Sequence, residues 1–248
     1  MDSLDFSNKT GTCKKINGWC DKNTEGLIKK IITPDMINED TGLCLTNSLY
    51  FESGWADGEW NVMDQEENFG NNEKTIYMTN EADSYYENDQ ATAFGKRYAS
   101  GLSFVGILPK ENNDFTLEDL DIQGLPQSTP EYDKVNAKIP KLNFETTATL
   151  TDMLKELGLE NIFSDNANFS GISNTPTRVN SILQKTKLEL DENGTKAAAV
   201  TAIMTEAMAM SPNNQVVKEV ELTRPFAFAI YDNVNDEMLF MGKVVTVE

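Results

Sequence analysis

At 248 residues, 39% of them hydrophobic, the chain is long enough to bury a sizeable core. Its 40 Asp+Glu against 21 Lys+Arg give a net charge of −19, which makes phosphate backbones and anionic membrane surfaces poor partners. Histidine is absent, which removes Ser/His/Asp and Cys/His nucleophilic sites, His-ligated zinc and imidazole general bases, so no metal, cofactor or enzyme activity is expected.

No run approaches the roughly 20 apolar residues a membrane span requires. The start of the chain lacks the basic end and apolar stretch of a signal peptide. Cys13, Cys20 and Cys44 form no CxxC pair. They are read as small buried hydrophobes rather than a redox or disulfide set.

In chain order, residues 10–32 are predicted as a helix capped by Thr10 or Thr12, with Ile16, Trp19, Cys20, Leu27 and Ile28 at roughly helical spacing and a bend or early end at Gly26. Residues 43–51 are an apolar run typical of a buried strand. Residues 56–100 mix short strand-like pieces with polar turns. Residues 102–108 form an apolar strand stopped by Pro109, and 110–132 are acidic and loop-like with one short helix around 116–121. Residues 138–144 make another strand. A helix is predicted over 149–162, with Leu150, Met153, Leu154 and Leu157 as its apolar face, Thr149 or Thr151 as its cap and Gly158 as its stop. Residues 179–190 alternate with strand period, and 226–231 pairs with 237–247 across 233–236 as a hairpin. The pattern implies one α+β domain, 1–248, with large, mostly antiparallel sheets and covering helices.

Residues 192–210 carry the strongest functional pattern. With period two, one parity reads Thr195, Ala197, Ala199, Thr201, Ile203, Thr205, Ala207 and holds no charge, whereas the other holds Lys196 and Glu206. No proline interrupts the run, so every backbone N–H is free to join a ladder. The same alanines would also suit an amphipathic helix, and the segment alone leaves both readings open.

Glu192-x-Gly194-Thr195-x-Ala197-Ala198-Ala199 resembles the hinge at the base of the serpin reactive-centre loop. Other segments resemble that family in the same order. They are 47–55 (Asn47, Tyr50, Phe51, Trp55), 102–109 ending in Leu108-Pro109, 139–144, Leu154-x-x-Leu157-Gly158, 169–172, and the closing pair 224–228 and 239–245. The resemblance implies a partial serpin fold, with roughly the first third of that fold preceding this sequence.

It also implies a suicide-substrate inhibitor of serine proteases. The attacking protease would cleave an exposed bait loop, which then inserts into the main sheet with the acyl-enzyme attached. Family loop length counted from Gly194 places the scissile bond at Met208–Ala209, with Met204 and Met210 as register alternatives. Methionine there suits elastase- or chymotrypsin-like proteases. Asn47 and Trp55 match positions in the middle and at the top of the main sheet that govern loop entry, read as a buried, satisfied amide and a core aromatic. Gln184 stands where the family usually carries a histidine. The resemblance further implies export from the cell and the hazard of self-association by loop-sheet exchange. The alternatives are a non-inhibitory serpin-fold carrier or chaperone, or a truncated serpin that is only a protease substrate.

Overall fold

The computed structural model describes residues 3–37, 41–70, 73–110, 114–122, 124–125, 130–195 and 216–247. The chain divides into two compact units, residues 1–50 with 144–188, and residues 51–143 with 189–248.

The first unit contains helix α1 (Lys9–Asn23) and strands β1 (Leu43–Leu49), most of β9 (Leu142–Thr149) and most of β10 (Val179–Asp191). The cap of α1 is Asn8, whose side chain accepts from the Gly11 N–H at 3.0 Å, rather than the predicted Thr10 or Thr12. The helix also stops well short of residue 32. Thr24 ends it by donating to the Cys20 carbonyl at 2.7 Å and accepting from the Ile28 N–H at 2.9 Å. Asn17 then binds the returning chain, accepting from Ile31 N–H at 2.8 Å and donating to the Ile32 carbonyl at 2.9 Å. These bonds turn residues 28–37 back so that Ile28, Ile31, Ile32 and Ile37 pack with Cys13, Cys20 and Leu183. Each such isoleucine stabilises the unit by roughly 1.5–3 kcal/mol relative to an exposed side chain. Trp19, expected on the apolar face, is 47% exposed.

Cys13 and Cys20 lie in this cluster and Cys44 packs against it, as free thiols pushed up by burial. The expectation of small buried hydrophobes holds for Cys13 and Cys20, while Cys44 is half-buried.

The predicted helix over 149–162 is a shorter, irregular segment. Strand β9 holds the chain extended through Thr149, and regular α-helix covers only α2 (Thr151–Leu154) before it widens and then tightens through Phe163. Gly158 does terminate the turn, at φ +93°. The supposed apolar face is only partly covered: Leu150 and Leu154 are half-buried, but Met153 is 58% and Leu157 72% exposed. Without burial of that face, propensity alone does not sustain a helix of this length.

The second unit is mostly sheet. One sheet has the order β12 (Val217–Glu221), β8 (Lys134–Pro140), β4 (Glu73–Glu81), β3 (Asn61–Phe69). The other has the order β14 (Glu237–Val244), β13 (Phe226–Asp232), β7 (Leu102–Pro109), β6 (Ala91–Arg97), β5 (Ser84–Glu87). The predicted strand over 138–144 is thus the join of two strands, β8 ending at Pro140 and β9 starting at Leu142. The C-terminal hairpin forms as predicted, with Ala229 opposite Met241. A short helical turn, Leu117–Asp119, carries a reciprocal cap from Thr116 within the predicted 116–121 span. Most pairings are antiparallel, but β1–β10 and β12–β8 are parallel.

One ion cluster joins three elements of this unit. Glu87 accepts from the Tyr85 hydroxyl at 2.8 Å and pairs with Lys110 at 2.8 Å and Lys218 at 3.6 Å. The Lys110 hydrogen bond, then that of Tyr85, hold its carboxyl down to about 2 from an ordinary 4.5. A carboxyl depressed on folding stabilises the protein above its unfolded pKa, and that stability is lost as pH falls toward the folded one. Glu87→Gln is therefore expected to lower the urea midpoint at pH 7, with the gap from the parent protein closing between pH 4.5 and 2. A gap independent of pH would contradict the assignment.

Candidate functional site

The resemblance to a bait-loop hinge directs attention to residues 189–195. Strand β10 ends at Asp191, residues 192–193 turn, and β11 (Gly194–Thr195) returns antiparallel, Asp191 facing Gly194 and Leu190 facing Thr195. On its other side β11 pairs with β2 (Ser53–Gly54), Gly194 opposite Gly54 and Thr195 opposite Ser53. Gly194 and Thr195, at the head of the segment, therefore already form a strand with a partner on each side. Both are buried.

Gly194 is required here by its surroundings. A Cβ at this position would lie 2.3 Å from the Ser53 carbonyl oxygen and 2.7 Å from Gly54 Cα, and its φ of +147° is a conformation other residues rarely adopt. Thr195 is 1% exposed, and its hydroxyl is hydrogen-bonded to that of Tyr98 at 2.6 Å. Tyr98 is 1% exposed as well, and burial pushes its phenol well above the ordinary range.

Trp55 covers this pair. Its ring stacks on Tyr98 at 4.6 Å and 7°, with Trp60 at 5.4 Å and Phe104 edge-on at 6.2 Å. Its indole N–H donates to the Asp191 carbonyl at 3.2 Å and its backbone N–H to the Asn193 carbonyl at 3.0 Å. Trp60 N–H donates to the Glu192 carbonyl at 2.8 Å. The Glu192 carboxylate pairs with Lys141 at 2.6 Å, and that lysine holds it below its ordinary range. Every residue from 191 to 195 is thereby tied to the segment 53–60, to Tyr98 or to its own turn.

The structure thus brings Trp55, Glu192, Gly194 and Thr195 together in the second unit. Asn47 and Gln184 lie in the first unit, opposite one another in the parallel β1–β10 pair. The expected buried amide at Asn47 is not found. Along β1, Cys44 and Ser48 turn toward α1 and are half-buried, so Leu45 and Asn47 share the opposite face and are exposed. Gln184 is half-buried. Ala197, Ala198, Ala199 and the reactive-bond residues Met208 and Ala209 lie outside the described residues, as do Met204 and Met210.

Sequence reading missed Tyr98, Ser53 and Lys141. Tyr98 follows β6, far along the chain from Trp55, and a single antiparallel bridge brings the two together. Nothing local marks Tyr98 apart from other buried aromatics.

Comparison with known proteins identifies a family. A family model described as Serpin (serine protease inhibitor) matches residues 1–247. An uncharacterized serpin-like protein of Methanosarcina mazei is 34% identical over 98% of this chain and 59% of its own length. Alpha-1-antiproteinase 2 of Equus caballus is 31% identical over 98% of this chain and 58% of its length. The chain therefore spans about three-fifths of the curated relatives it matches. Among solved structures, the thermophilic serpin tengpin in its native state superposes with a TM-score of 0.81 and 31% identity, over 96% of this chain and 64% of that one.

Proposed function

Because this chain belongs to the serpin family, we propose that its protein inhibits a serine protease of elastase or chymotrypsin type by trapping it after bait-loop cleavage. The protease serine would attack the Met208 carbonyl, the amine of Ala209 would leave, and the ester-linked loop would enter the sheet. No group of the inhibitor performs the chemistry, which fits a chain without histidine. Its action outside the cell is part of the same proposal, supported by the acidic surface.

The observation that carries the reading is β11. Gly194 and Thr195 already sit between two strands at the head of a segment whose one parity is small and uncharged. Further entry would add a backbone hydrogen-bond pair and some apolar burial per residue, on the order of 1 kcal/mol each. Summed over the segment, that is enough to make the trapped state effectively irreversible.

The test is incubation with pancreatic elastase and with chymotrypsin, followed by denaturing gels and mass spectrometry. The expected result is a covalent band at the summed mass and a released peptide starting at Ala209. Cleavage near Met208 without a complex would sink the inhibitor reading and favour a substrate or a carrier. Cleavage at Met204 or Met210 would move the reactive bond.

A further inference from the structure

Two features at the head of the segment act on its alignment rather than on its chemistry. Only glycine fits opposite Gly54, because any Cβ there meets the Ser53 carbonyl oxygen at 2.3 Å. One residue on, the Thr195 hydroxyl reaches the Tyr98 hydroxyl at 2.6 Å in a site where both side chains are 1% exposed. A slip by one residue would place Thr195 where glycine alone fits and strip a buried tyrosine hydroxyl of its partner. Side chains in a strand alternate between faces, so the same slip would exchange the uncharged parity of residues 195–207 for the one holding Lys196 and Glu206.

We propose that Tyr98 is a positioning residue: its buried hydroxyl bond to Thr195, together with the Gly194 close approach, sets the register in which the segment after Thr195 joins the sheet. This rests on the inhibitor reading for its purpose, but not for its measurement. Tyr98 is well built for the role. Its ring is clamped between Trp55 at 4.6 Å and Phe51 at 5.0 Å, so its hydroxyl is held at a fixed point. The bond joins two neutral groups, so a register set this way does not depend on pH near neutrality.

The test is amide hydrogen exchange over residues 189–195, measured by mass spectrometry of fragments produced after quenching, with no target protease present, in the parent chain, Tyr98→Phe, Thr195→Val and the double variant. Phenylalanine keeps the stack on Trp55 and valine keeps the shape of threonine. Each single variant is expected to speed exchange over 189–195 about tenfold while β7 and β13 exchange as in the parent. The double variant is expected to be no faster than either single one, since both hydroxyls are then gone. Parent-like exchange in the singles, additive effects in the double, or equal acceleration across β7 and β13 would each overturn the assignment. Trapping by the parent chain is assayed separately, so a failed inhibitor reading and a failed register assignment give different results.

Discussion

Trp55→Ala is expected to destabilise the second unit by about 3–5 kcal/mol, the usual loss when a buried tryptophan is truncated. Trp55 is 3% exposed and touches three other aromatic rings, so its removal leaves a cavity that stacked, hydrogen-bonded neighbours are poorly placed to fill. The Asp191 carbonyl also loses its indole donor. Trp55→Phe is the milder change, because it keeps a ring on Tyr98 while losing the N–H and part of the indole, at about 1–2 kcal/mol. Urea unfolding of the three proteins, with exchange over 189–195 as a local probe, measures both. A change under 1 kcal/mol for the alanine variant would mean that Trp55 does not hold residues 191–195 in place.

Gly194→Ala is expected to cost about 3 kcal/mol or more and to release β11 from both neighbours. Two penalties combine. A positive φ of +147° is strained for alanine, by about 1–3 kcal/mol. The added methyl carbon also falls 2.3 Å from a backbone oxygen, an obstacle that cannot rotate away as a flexible side chain would. In thermal melts the variant should unfold about 6–12 °C below the parent, given roughly 2–4 °C per kcal/mol for a chain of this size. Exchange over 189–195 should rise with it. A melt within 2 °C of the parent would show that β11 does not depend on this close approach.

The turn at residues 191–195 is the part of the site most legible in the residues. The order of Glu192, Gly194 and Thr195 marks them out, and the structure ties the Glu192 carbonyl to Trp60 N–H and pairs Gly194 and Thr195 with Gly54 and Ser53, next to Trp55 in the chain. Asn47 was recognised by the same kind of match but misjudged in its environment. A motif identifies a position in a fold, whereas burial depends on which face of β1 the helix α1 covers. The helix over 149–162 failed for a related reason. Its apolar spacing is real, but Met153 and Leu157 are exposed, so regular helix is confined to Thr151–Leu154 after β9 ends at Thr149.

What the amino-acid sequence determined by itself was the class of molecule and its strand grammar. Ordered matches along the chain, the alternating parity of 179–190, and the turn between 226–231 and 237–247 are local patterns, and backbone geometry turns them directly into strands and faces. Only the tertiary structure decided what each face meets. Tyr98 against Thr195, Lys141 against Glu192 and the Ser53 carbonyl against Gly194 are contacts between residues far apart in the chain. Their strength comes from close approach and, for Tyr98 and Thr195, from burial, and both emerge only when separate strands close on one another.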